Sequence, residues 1–176
     1  MRRLAPAALI TLFAIASPAC KRKSVDPAAV SSAGESLPLI SVVKVNDPAA
    51  SAQLVRGFHQ LEGNTWRWTM RKFTVALKPP PGSAQTGARL SLQFTIPEIA
   101  FNSMGATTVT AVINGLALAP ETCSKPGDYV YARDVPGSAL GGDVVVVDFA
   151  SDKGFSVPGD TRELALIAVS VGLESK

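Results

Sequence analysis

A chain of 176 residues, 47 % hydrophobic but only 6 % aromatic, is long enough for one domain whose core is built mainly from Val, Leu, Ile and Ala. Its formal charge of +3 comes from 17 basic against 14 acidic residues, yet Arg2, Arg3, Lys21, Arg22 and Lys23 crowd the N-terminal end, and without them the balance is 12 to 14, or −2. A nucleic-acid binder gathers cations on its folded face, so nucleic acid is not an expected partner; two cysteines and one histidine cannot supply a structural zinc set, and neither metal nor cofactor is expected.

Met1-Arg2-Arg3 followed by the apolar run Leu4 to Ala16 reads as an export signal, too short and too interrupted by Pro6 to span a bilayer. The stretch Ser17-Pro18-Ala19-Cys20 resembles a bacterial lipobox, with Ser17 where Leu, Val or Ile is usual. That resemblance makes residues 1–19 a lipoprotein-type signal peptide and Cys20 the lipid-bearing first residue of the mature chain. Small residues at Ser17 and Ala19 also suit ordinary cleavage, which leaves a soluble periplasmic or secreted protein as the alternative. With Cys20 acylated, Cys123 is an unpaired, buried thiol in an oxidising compartment; with Cys20 free, a Cys20–Cys123 disulfide is open. Residues 20–37 are Ser-, Ala- and Pro-containing without a hydrophobic period and read as a disordered tether. The folded domain is expected over 38–176, held at the cell envelope on the periplasmic or outer-membrane face.

Pro38 to Val45 is the first strand candidate. Ala49 to Arg56 fits either a short helical turn or an extended link. The stretch 57–69, Gly-Phe-His-Gln-Leu-Glu-Gly-Asn-Thr-Trp-Arg-Trp-Thr, runs from a Gly/Asn-punctuated loop into an aromatic strand. Phe73 to Lys78 alternates as a half-buried strand, stopped by Pro79-Pro80-Pro81-Gly82. From Ala88 to Ile96, Leu90, Leu92, Phe94 and Ile96 face a core while Arg89, Ser91, Gln93 and Thr95 face water. Asn114-Gly115 between two β-branched runs is a type I′ hairpin signal. Asp128 to Val135 alternates again, the four valines from Val144 to Val147 imply a strand buried on both faces, and Arg162 to Val171 closes the domain. Seven to nine strands without a sustained helical period predict an all-β, antiparallel β-sandwich, with a jelly roll as one form of it.

Gly57-Phe58-His59 with Glu62, then Trp66-Arg67-Trp68-Thr69, then Pro158 to Arg162 ahead of the last strand, resembles a pattern in β-sandwich domains of bacterial envelope proteins. Such domains stand beside glycosyltransferases and surface-polysaccharide proteins. The resemblance covers about residues 55–174 and departs at Glu163 and Ala165, where a Leu-Gly-type continuation is common. It implies the fold and a place in the envelope, and no established activity comes with it.

Trp66 and Trp68 stand two apart and share a strand face, with Arg67 on the other. One reading makes them a platform for a sugar ring, flanked by Glu62, His59, Arg67 and Arg162; the other makes them packing residues and Arg162–Glu62 a structural pair. His59 has a near-neutral pKa, but no G-x-S-x-G elbow is present for a hydrolase triad, and scattered carboxylates are no glycosidase pair. No residue is assigned a catalytic role. The expected function is a non-catalytic β-sandwich lipoprotein that binds a carbohydrate or surface glycan; the alternative is an assembly lipoprotein that docks another envelope protein, with a hydrolase third.

Overall fold

The computed structural model describes residues 38–176; the signal peptide, Cys20 and the tether lie outside the described residues. Ten strands follow in chain order: β1 (Val42–Lys44), β2 (Leu54–Glu62), β3 (Trp66–Leu77), β4 (Ala88–Ile96), β5 (Thr107–Ile113), β6 (Leu116–Ala117), β7 (Glu121–Cys123), β8 (Gly127–Val135), β9 (Val145–Ser151) and β10 (Ile167–Ser175). Two short helices interrupt them, α1 (Ser83–Thr86) and α2 (Glu98–Met104). Every strand pairing is antiparallel. The fold is an all-β antiparallel sandwich.

Its layers are one hydrogen-bonded path, β6-β5-β9-β3-β10-β4-β8, with β1 added to β10, β2 to β3 and β7 to β5. The path turns its corner at β3. The first half of that strand pairs with β10 (Trp68 opposite Ile167, Arg67 opposite Ala168), and the second half, from Lys72 to Leu77, pairs with β9. A strand of 12 residues spans about 40 Å when extended, long enough to belong to both layers.

The alternation read in β4 is realised without exception: Leu90, Leu92, Phe94 and Ile96 are buried at 1 % exposure or less. Four of the aromatics join across the core. Phe73 stacks on Phe149 at 5.1 Å, meets Phe58 edge-on at 5.4 Å, and Phe149 meets Tyr131 edge-on at 6.1 Å. That chain crosses the core from β2 to β8 and adds face-specific packing to the burial term. The hairpin at Asn114-Gly115 forms with φ of 46° and 85°, as a type I′ turn requires.

Several expectations change, among them the closing strand, which begins at Ile167 and not at Arg162. Phe73 to Lys78 is no separate strand but the end of β3, which stops at Leu77 before the proline run. The segment left open before Arg56 resolves into a 3₁₀ turn over Pro48–Gln53, capped by the Asp47 carboxylate on the Ala49 amide at 2.9 Å, and β2 begins at Leu54. The valine run is covered on one face only. Val145 and Val147 are buried, while Val144 and Val146 are 43 % and 41 % exposed. The strand is central by pairing, but in a two-layer sandwich each layer has a single inner face, so β-branched residues on the outer face report strand propensity rather than burial.

Candidate functional site

The corner of the fold is also where the polar and aromatic residues of the 57–69 stretch gather. At the β2–β3 turn, Gly63 and Asn64 take φ of 56° and 55°, and the Thr65 amide donates to the Glu62 carbonyl at 3.1 Å. The turn is open enough for Trp66 to lie over it: a Cβ on Gly63 would come within 3.0 Å of the indole. Trp66 keeps 36 % of its surface exposed. Two residues on, Trp68 is half-buried and packs edge-on against Phe155 at 5.8 Å, a ring supplied by the loop before β10 and fixed there by the two-way bridge between Phe155 and Leu164. Cross-strand pairing places Glu62 opposite Trp66 and Ile167 opposite Trp68. Both indoles and Glu62 therefore share the outward face.

Arg162 reaches that face from the same loop. Its guanidinium grips Asp160 through Nε and Nη2 at 2.7–3.1 Å and donates from Nη1 to Glu62 at 2.6 Å. The Arg162 amide donates to Asp160 at 2.9 Å as well. These contacts hold the Asp160 carboxyl at a pKa of about 2, chiefly through the Arg162 side chain and then its amide. An acid ionised over the whole neutral range has no proton to donate to a leaving group. The three side chains are 25–37 % exposed, so the cluster fixes geometry more than it adds stability.

His59 sits in an irregular part of β2. The register against β3 slips three times: β2 carries the extra residue between Leu54 and Arg56 and between Phe58 and Leu61, while β3 carries the extra residues between Thr69 and Thr74, so both strands re-aim side chains here. From the last slip the imidazole Nε2 lies 2.7 Å from the Glu163 carbonyl. A carbonyl only accepts, so Nε2 carries hydrogen and Nδ1 remains for a ligand. Gly57 makes the bulged path passable: with φ of 77°, a Cβ there would fall 2.1 Å from the Lys72 carbonyl oxygen.

Arg67 does not join the cluster. It points to the inner side, where Nε donates to the Val45 carbonyl at 2.8 Å and Nη1 to the His59 carbonyl at 3.1 Å. It ties β1 and the β2 bulge to β3. The structure thus brings Trp66, Trp68, Glu62 and Arg162 onto one face, places His59 beside them on the loop backbone, and keeps Arg67 underneath. Sequence reading takes Asp160 as turn chemistry and does not place it, or Phe155, in the cluster. The local pattern Asp160-Thr161-Arg162 signals the first, because an Asx carboxylate bonds the backbone two residues on; nothing local signals the second. Cys123 lies in β7, wholly buried with a free thiol. Burial pushes its pKa up to about 11, which removes it as a nucleophile near neutrality. Among the described residues no group of three or more His, Cys, Asp or Glu side chains is placed to hold a metal ion.

No family model matches the chain, and no curated protein matches it in sequence. Among solved structures it is similar to TmCBM27, a carbohydrate-binding module studied for specific mannan recognition, at 12 % identity and a TM-score of 0.46 over 78 % of this chain and 97 % of that one. A second similarity, at 8 % identity and a TM-score of 0.38, is to a Paenibacillus sp. cycloisomaltooligosaccharide glucanotransferase in complex with cycloisomaltoheptaose; it covers 78 % of this chain and 18 % of the enzyme's length.

Proposed function

We propose that the domain is a non-catalytic module that binds a glycan at the outward face of the β2–β3 corner. The observation that carries this reading is the shared face of Trp66 and Trp68, one exposed and one half-exposed, beside the Glu62–Arg162–Asp160 cluster. A pyranose ring offers an apolar C–H face and a rim of hydroxyls. An indole with one free side takes the first without disturbing the core, and the spare lone pairs of Glu62, the remaining N–H groups of Arg162 and Nδ1 of His59 take the second. The cluster is tied to β2 and to the loop before it meets a ligand, so little ordering is left for binding. Arg67 serves as the positioning residue below.

A panel of surface polysaccharides tested by affinity electrophoresis checks the reading. Trp66→Ala is expected to weaken binding at least about tenfold, or about 1.4 kcal/mol, with only a small loss of thermal stability because the ring packs on the Gly63 turn rather than in the core. Full retention of binding by Trp66→Ala and by folded Trp68→Ala sinks it. The anchor belongs to the same proposal: the mature chain begins at acylated Cys20 and works at the cell envelope. Mass spectrometry of the mature N-terminus decides that point, and an unmodified start elsewhere removes it.

A second reading, docking of another envelope protein, is favoured by a different surface. Val146 stands exposed on the outer face of β9 and Val144 is exposed just before that strand, an apolar pair that a partner surface could cover. A photo-crosslinker at position 146 that yields only monomer in cells counts against it.

A further inference from the structure

Of the six arginines among residues 38–176, five engage protein oxygens: Arg56 on Asp148, Arg89 on Asp134, Arg133 on Glu121, Arg162 on Glu62 and Asp160, and Arg67 on two backbone carbonyls. Arg71 is the exception. Among the described residues its guanidinium has no carboxylate at ion-pair distance, nor has the ammonium of Lys72 beside it. The Arg71 stem lies across Gly154, where a Cβ would come to 2.6 Å of its Cγ; the glycine gives the arginine its seat.

These two cations, with Met70 and Glu163, line a hollow of about 300 Å³. The hollow adjoins the aromatic corner. Met70, 41 % exposed, follows Trp66 and Trp68 on the same strand, about 6.7 Å further along for each two residues. Glu163 serves both places, accepting from His59 through its carbonyl and from the Arg71 amide through its carboxylate at 3.3 Å. Two cations against one carboxylate leave a local charge of +1.

We infer that this hollow is the acid-binding part of the glycan site, so that the ligand is a glycan containing uronic acid, its sugar carboxylate received between Arg71 and Lys72. The inference rests on the glycan reading above. The guanidinium fork matches the two oxygens of a carboxylate, the ammonium adds a point charge, and Met70 offers an apolar flank to the ring. A single negative charge balances the hollow's +1, whereas a doubly charged phosphate monoester would leave it net negative.

The test uses the full chain and a panel of polygalacturonate, alginate and hyaluronan, each beside its carboxyl-reduced form, titrated at low salt. For at least one pair the acidic form binds about tenfold tighter, a difference of charge-assisted hydrogen-bond size. Arg71→Ala and Lys72→Ala, both at exposed positions, each erase most of that difference between acidic and reduced forms, while Trp66→Ala weakens both forms and leaves the difference in place. Equal binding of acidic and reduced forms overturns this inference but leaves the glycan reading standing. Acid preference surviving in the Arg71→Ala/Lys72→Ala double variant also overturns it. Inorganic phosphate displacing the acidic glycan as well as free galacturonate does marks a general anion hollow and overturns it too. No binding to any member of the panel, acidic or reduced, counts against both.

Discussion

Trp66 and Arg67 are neighbours in sequence with opposite tasks, and strand geometry is the reason. Alternation sends one indole to the outward face and the guanidinium to the inner side, where two carbonyls take it up. Arg162 has the reverse history: it arrives from a loop and takes its position from Asp160, whose carboxylate accepts three hydrogen bonds from the guanidinium and one from the Arg162 amide. The Asp160 carboxyl, held at about pKa 2, lies below its ordinary value near 3.9. A lowered carboxyl pKa contributes stability above the ordinary value and loses it as pH falls through the folded one. The Arg162 clamp is therefore intact above about pH 4 and is released as pH drops toward 2. NMR titration of the Asp160 carboxyl should give a midpoint near 2 in the wild type and return to the ordinary range in Arg162→Ala. A wild-type midpoint near 4 contradicts the clamp.

At the scale of elements, the β2–β3 pair is the part of the fold that the sequence hides best. β4 could be read because each position keeps its face; β2 could not, because three register slips destroy the period of two on which any strand reading depends. The bulges also make its glycine irreplaceable. Gly57→Ala meets the Lys72 carbonyl oxygen at 2.1 Å in addition to a φ of 77°, and should cost at least about 2 kcal/mol in denaturant unfolding. Gly115→Ala has the same sign of φ but open space around it, and should cost only about 1 kcal/mol. Equal costs at the two sites contradict the close-approach argument. The Asn114-Gly115 turn was legible for the opposite reason: its chemistry is local, and no tertiary contact is needed to specify it.

At the scale of the molecule, the fold class followed from turn-punctuated alternation, and ten strands form where seven to nine were expected. The extra members are pieces with too little sequence to show a period, such as the three residues of β7. The same limit applies to the site. Trp66, Trp68 and Glu62 are near one another in the chain and were read together, whereas Asp160 and Phe155 meet them only because the loop before β10 folds back over β3. The closing strand illustrates this: it was expected from Arg162 but begins at Ile167, and the residues in between became the loop that carries the clamp.

Because Trp66 and Trp68 are the chain's two tryptophans, intrinsic tryptophan emission reports on the proposed site alone. Titrating the full chain with a polysaccharide that it binds should quench or shift that emission along the binding curve, and Trp66→Ala should abolish most of the change. Binding seen by electrophoresis with tryptophan emission unmoved throughout would place the ligand elsewhere on the sandwich and contradict the assignment.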